Sequence, residues 1–153
     1  MLIRPATYED SFAILSLWEA MYKEMKLRPS MRLEYTNPKN VFHKIVVRIE
    51  QQEWRVIVAE DAGELVGFMM SFLRWPAYNP CHKIGFAEAL YVHPAYRGSS
   101  IYKDLINDSI KHHEKDDMMK EMEFMSVYDD RMIQFYARLG FEPVQVIYRK
   151  KEV

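Results

Sequence analysis

Glu88-Ala89-Leu90-Tyr91-Val92-His93-Pro94-Ala95-Tyr96-Arg97-Gly98-Ser99-Ser100-Ile101-Tyr102-Lys103-Asp104-Leu105-Ile106 decides how this chain reads. An apolar strand runs through a short turn holding Pro94 and Gly98 straight into a helix. The first turn of that helix, starting around Ser99, leaves backbone N–H groups without acceptors of their own. The positive end of the helix dipole points the same way, so a phosphate group can sit there.

Outward from this segment the pattern continues in both directions. Ile84 to Val92 is apolar enough for a central strand, and Ile101, Leu105, Ile106 and Ile110 mark one face of the following helix. That helix ends in the polar run Lys111 to Asp117, where His112 and His113 read as a solvated end. Met122 to Tyr128 makes a fifth strand with methionines as packing residues, Asp129 or Asp130 caps a helix to Leu139, and Gly140 stands as its C′ residue. Val144 to Arg149 is a last strand, and the basic tail after it a solvated end. Toward the N-terminus, Leu2 to Pro5 is a first strand. Thr7 caps a helix carrying Ile14, Leu15, Trp18, Met21, Tyr22 and Met25 on one face. After a loop, a second helix spans roughly 39–52, and strands 55–60 and 65–73 are joined by Asp61-Ala62-Gly63-Glu64, a hairpin link. Arg74 to Lys83 is a loop. The order is strand, two helices, three strands, helix, strand, helix, strand, which predicts an α/β (α+β) domain with a mixed sheet and helices on both faces.

The 153 residues fit one domain, 1–153, without a linker or repeat. A hydrophobic fraction of 49% and a charged fraction of 28% are those of a globular protein. Cys81 is the single cysteine, so no intramolecular disulfide or multi-thiolate metal site can form, which suits a reducing compartment. No basic-plus-apolar leader and no membrane-length apolar run are present, so the expectation is cytoplasmic. A net charge of −1 gives no general attraction to nucleic acid. His43, His82 and His93 are scattered and suggest no metal site.

Read together with Phe135-Tyr136-Ala137-Arg138-Leu139-Gly140-Phe141 and the order of elements, the 88–106 segment resembles the GCN5-related N-acetyltransferases, the GNAT superfamily of acyl-coenzyme A enzymes. The resemblance covers nearly the whole chain and is weakest over 26–54. It implies a mostly antiparallel sheet splayed between the fourth and fifth strands, with acetyl-CoA held along Leu90, Tyr91 and Val92 and at the turn of Arg97, Gly98, Ser99, Ser100, Ile101 and Tyr102. The family signature asks for Arg or Gln, two residues, Gly, one residue, then Gly or Ala. Arg97 matches, but Ser100 stands where Gly is usual and Tyr102 where Gly or Ala is usual. Ser100 either narrows the backbone's approach to an anion or adds a hydroxyl. The Tyr102 ring packs on the neighbouring helix, reaches the phosphates, or obstructs them.

Acetyl transfer from a thioester to an amine needs a neutral amine, a donor for the developing oxyanion and a proton for the departing thiolate. The resemblance places the oxyanion donor at the N–H near Val92 and the proton donor at Tyr136, a phenol protonated at neutral pH. A packing role is the alternative for Tyr136. Glu88, an acid in an apolar strand, is the candidate base, facing the same side as Leu90 and Val92 unless a bulge intervenes; pairing with an Arg or Lys, or an outward position, is its alternative. Asp129 binds water or the pantetheine arm, or caps the last helix. The expected partners are acetyl-CoA and an amine entering near 22–35 and 74–83, where Tyr22, Tyr35, Trp75 and Tyr78 are available; a homodimer is compatible. A binding module with a degenerate cofactor turn is the competing reading.

Overall fold

The structure, a computed structural model, describes residues 1–24, 37–77, 81–124 and 130–144. Tyr35, Tyr78, Asp129, the end of the expected fifth strand and the last strand's 145–149 lie outside the described residues. Strand β1 (Leu2–Pro5) leads through one 3-10 turn, Tyr8–Asp10, into helix α1 (Ser11–Glu24), followed by α2 (Pro38–Glu50). Strands β2 (Trp54–Asp61), β3 (Glu64–Arg74) and β4 (Lys83–Val92) come next, then α3 (Ile101–His113), β5 (Met119–Phe124) and α4 (Asp130–Arg138). The sheet runs β1-β2-β3-β4-β5 in space, antiparallel except where β4 and β5 run parallel. A parallel neighbour needs a crossover connection, and α3 supplies it. No helix among the described residues is long and apolar enough to cross a membrane.

Both faces of the sheet are covered, which is why β2 and β3 read as nearly unbroken apolar runs. On one face, Ile14, Leu17, Trp18 and Met21 of α1 and Ile45 of α2 pack on Val56, Val58, Phe68, Met70, Ala89 and Tyr91. On the other, Ile101, Leu105 and Ile106 of α3 pack on Ile57, Ala59, Met69, Ala87 and Val92. The helical spacing of these apolar positions selects the buried stripes, and the two-residue alternation of the strands divides the sheet between them. Helix α4 stops as its sequence predicts. Gly140 adopts φ +87°, the Phe141 N–H donates to the Tyr136 carbonyl at 3.0 Å and the Gly140 N–H to that of Ala137 at 3.0 Å, which together form a Schellman motif.

Two expectations change. Strand β5 begins at Met119 instead of Met122, because Met122 and Phe124 alternate into the α3-side core while Glu121 and Glu123 face outward. His113 does not belong to a solvated helix end. Only 3% exposed, its Nε2 lies 2.9 Å from Ser71 Oγ, which in turn is 2.6 Å from Ser109 Oγ. Burial, helped by the neighbouring His112 and Arg55, pushes the His113 imidazole down to about 4.

The folded state therefore refuses a proton that the unfolded chain accepts near its ordinary value. Stability is fully present above about pH 6.5 and falls as pH drops toward 4, by roughly 3 kcal/mol from this group. Urea unfolding at pH 7 and pH 4.5 should show His113→Gln losing less stability between the two than the parent protein. Equal losses would show that the imidazole is not the responsible group.

Candidate active site

The site begins with an irregularity in β4. Its pairing with β3 runs Met70↔Ala89 and then Ser71↔Ala87, so Glu88 is an extra residue, a β-bulge. The bulge reverses the strand's facing: Ala87 joins the α3-side core, whereas Ala89 joins the α1-side core. Glu88 consequently emerges on the α1 and α2 face and does not share a side with Leu90 and Val92. Among the described residues, β4 pairs with β5 only from Lys83↔Met119 to Ala87↔Phe124. The bulge thus directly follows the last of the described pairs.

Beyond it, β4 continues to Val92 with one edge turned away from β3. The His93 N–H donates to the Val66 carbonyl of β3 at 2.8 Å. Backbone groups alternate along a strand, so those of Leu90 and Val92 point to the side away from β3. The Val92 carbonyl is met there by Arg97 Nε at 3.0 Å. Tyr91 turns the other way. Its backbone faces β3 opposite Phe68, and its side chain packs in the α1-side core, where the hydroxyl donates to Glu24 Oε1 at 2.6 Å.

The turn after β4 is one turn of 3-10 helix, Pro94–Tyr96, followed by Gly98 at φ +91°. A Cβ there would meet nothing within 4 Å, so the glycine serves the backbone conformation and not a lack of space. Ser99 Oγ donates to the Tyr96 carbonyl at 2.6 Å and accepts from the Ile101 N–H at 3.4 Å, and so caps α3. Ser100 Oγ donates to Asp104 Oδ2 at 2.6 Å. The Ile101 side chain is buried under the sheet and anchors the helix.

Arg97 is drawn toward the end of α1. Its Nη2 lies 2.5 Å from Glu24 Oε2, and its guanidinium carbon stands 5.4 Å from the Tyr91 ring centre. Burial tends to raise the Glu24 carboxyl, but hydrogen bonds from Tyr91 and Arg97 outweigh it and hold the group below its usual range. Burial, with Glu24 nearby, pushes the Tyr91 phenol up to about 12. Glu24 and its two partners form a junction that sequence reading does not find, because its members are 67 and 73 residues apart.

Tyr102 of α3 and Tyr136 of α4 both pack against the α3-side core. The Tyr136 ring lies among Phe124, Phe135 and Phe141 at centroid distances of 5.4, 5.3 and 5.9 Å. Burial, with an added contribution from Tyr102, pushes its phenol up to about 12. It is a group that keeps its proton at neutral pH and can give it only to a stronger base. The Tyr102 ring meets Phe135 edge-on at 5.7 Å. Burial raises its phenol, and the Arg97 guanidinium and the Val92 N–H beside its oxygen offset part of that rise.

On the far face, Arg48 of α2 grips Glu88 with both nitrogens, Nη2 to Oε1 at 2.8 Å and Nη1 to Oε2 at 2.6 Å. The guanidinium carbon of Arg48 is itself 4.3 Å from the Trp54 ring centre. Arg48 is the partner that sequence reading allowed for without naming. The two side chains are 19% and 36% exposed, so the pair fixes the direction of the Glu88 carboxylate at the protein surface. Tyr22 stands near the pair, stacked on Trp18 at 3.9 Å, while Trp75 is half exposed with Lys83 Nζ 5.4 Å from its ring.

Comparison with known proteins matches this geometry to one family. The profile described as the Acetyltransferase (GNAT) family matches residues 13–141. An uncharacterized N-acetyltransferase from Methanocaldococcus jannaschii is 28% identical over 99 residues, 65% of this chain and 44% of that protein. The chain thus spans less than half the length of that curated relative. Among solved structures, a GCN5-related N-acetyltransferase from Ralstonia eutropha JMP134 superposes with a TM-score of 0.78 at 19% identity, covering 98% of this chain and 97% of the other. AAC(6')-Iy, solved in complex with the bisubstrate analog CoA-S-monomethyl-acetylneamine, gives a TM-score of 0.78 at 18% identity, with 99% and 98% covered. These two likenesses bear on the fold, and the profile match, which takes in the bulge, the end of β4, the turn after it and Tyr136, shows that the chain belongs to the Acetyltransferase (GNAT) family.

Proposed function

We propose that this chain, acting as a single domain, transfers an acetyl group from acetyl-CoA to a primary amine of a small molecule or peptide, directly, within a ternary complex. The observation that carries the reading is the stretch of β4 after the bulge, where the backbone groups of Leu90 and Val92 point away from β3 just before the turn into α3. An extended, amide-bearing arm satisfies such an edge as a neighbouring strand would. Leu90 and Val92 would hold that arm through their backbone groups, and the Gly98 to Tyr102 turn would receive the diphosphate at the opening of α3. Acetyl-CoA, when bound, supplies the activated thioester.

The chain's own groups then divide the work. A backbone N–H on that edge, that of Val92 in this reading, donates to the oxygen on which negative charge develops. Tyr136, protonated at neutral pH, gives its proton to the departing sulfur. Glu88, at the bulge on the opposite face, receives the amine and takes its proton directly or through water, while Arg48 holds the carboxylate in place. Donor and acceptor would approach from opposite faces and meet at the end of β4. Nothing in the described residues favours one amine over another, so the acceptor panel should hold amino acids, polyamines, peptides and, because a structural neighbour was solved with an acetylneamine analog, aminoglycosides.

A second reading has specific support. Arg97 is engaged by Glu24, Ser100 by Asp104, and Tyr102 stands beside Val92. All three belong to the turn on which the donor depends, as they would in a binding module that has lost its cofactor.

Thermal unfolding with and without saturating acetyl-CoA separates the two, since a ligand that binds only the folded state raises the melting temperature. The first reading expects a rise of several degrees; no shift would favour the second. In the enzyme, Tyr136→Phe should lower kcat by about 100-fold or more while changing acetyl-CoA affinity less than about twofold. Parallel losses in kcat and affinity would instead assign the ring to packing. Glu88→Gln should lower kcat/KM for the amine at neutral pH and leave acetyl-CoA binding as it was, measured by thiol release and calorimetry. Unaltered turnover would remove Glu88 from the mechanism.

A further inference from the structure

Three side chains distant in sequence close around the end of β4 and the turn after it. Arg97 reaches back five residues, its Nε donating to the Val92 carbonyl at 3.0 Å. Its Nη2 donates to Glu24 Oε2 at 2.5 Å, at the end of α1, and the Tyr91 hydroxyl donates to the other carboxylate oxygen, Oε1, at 2.6 Å. The ends of this series of bonds are fixed in the core. Tyr91 packs on the α1 side and Val92 on the α3 side, and both are buried. The middle of the series lies near the surface, where the Glu24 and Arg97 side chains are 38% and 39% exposed.

An ion pair at that exposure adds little to stability by itself. Its place in the chain gives it another use. Arg97 directly precedes Gly98, whose φ of +91° leads the backbone into α3. A guanidinium has five N–H groups, so the bonds to Val92 and Glu24 leave donors for a further oxyanion. Left without these partners, the long Arg97 stem would sample many rotamers and lose them only on binding.

We infer that Glu24 is a positioning residue of the donor site: anchored by Tyr91, it holds the Arg97 guanidinium against the Val92 carbonyl, so that the cation is in place before a diphosphate reaches the turn. The inference rests on the proposed use of acetyl-CoA and adds a residue of α1 to the groups that set its affinity. Immobilising a long side chain in advance spares the ligand that cost, a gain of about three- to tenfold in affinity. Glu24 touches no part of the donor in this scheme and acts through Arg97. A carboxylate that merely competed with the diphosphate would need only its contact with Arg97. Here it has a second, buried anchor, and the guanidinium has one of its own at Val92.

The test is calorimetric titration with coenzyme A of the full chain, of Glu24→Gln, of Arg97→Ala and of the double variant, with melting temperatures measured alongside. Glu24→Gln, which removes the charge and keeps the shape, should weaken coenzyme A by about three- to tenfold and leave the melting temperature within about two degrees. In the Arg97→Ala background the same change should alter affinity by less than about twofold, because residues that act through one contact are not additive. Tyr91→Phe, which removes the anchor of the carboxylate, should weaken binding by a smaller factor, and it carries the comparison if Glu24→Gln no longer unfolds cooperatively. Unchanged binding in Glu24→Gln and Tyr91→Phe would overturn the inference and leave the donor reading intact. Tighter binding in Glu24→Gln would overturn it by making the carboxylate a competitor, and an equal loss with and without Arg97 would overturn it by making the role a structural one. Absence of binding in the parent chain would overturn the donor reading and this inference with it.

Discussion

One extra residue in one strand organises this molecule. Glu88 interrupts the register between β3 and β4, and the phase of β4 changes across it. Before the bulge Ala87 faces α3; after it Ala89 faces α1 and α2. An acid at this place would otherwise have to enter the α3-side core beside Leu90 and Val92, at a cost of several kcal/mol without a partner. The bulge brings it out on the opposite face, where Arg48 meets it. The same local change delivers a carboxylate to one side of the sheet and leaves the backbone groups of Leu90 and Val92 pointing away from β3.

The surroundings of that edge are built from residues distant in sequence. Val92 is reached by Arg97, Arg97 is held by Glu24 at the end of α1, and Tyr91 completes the junction from within the α1-side core. The end of α1 and the donor turn therefore share a network of charge-assisted hydrogen bonds, each stronger than a neutral one. On the α3 side, Tyr136 lies in an aromatic cluster, its phenol held protonated by burial, and the Tyr102 ring packs edge-on against Phe135 beside it. The turn's chemistry is in place, but its side chains are committed to one another.

Much of this was legible in the sequence. The strand, turn and helix from Ile84 to Ile110 carried both the apolar run and the helical stripe, and Gly98 and Gly140 marked two backbone positions of positive φ. Five of the expected strands and four helices stand where the periodicity put them, with ends shifted by a few residues. What escaped was set by tertiary context. A bulge has no side-chain signature of its own, so alternation set Glu88 beside Leu90 and Val92 unless a bulge intervened, and one does. The early start of β5, where Met119 pairs with Lys83, was hidden because Lys120 and Glu121 mask its alternation. His113 looked solvated in a polar run because its partner, Ser71, is 42 residues away. Of the three placements open to Tyr102, the ring takes the packed one, edge-on against Phe135 of the following helix.

The central claim is that the edge of β4 at Leu90 and Val92 is where the acyl carrier is held. Residue-resolved amide hydrogen exchange with and without acetyl-CoA tests it most directly. The account predicts that the N–H groups of Leu90 and Val92 become markedly slower to exchange on binding, while that of Tyr91, which faces β3, does not change. Saturable binding that leaves Leu90 and Val92 exchanging as before would contradict it.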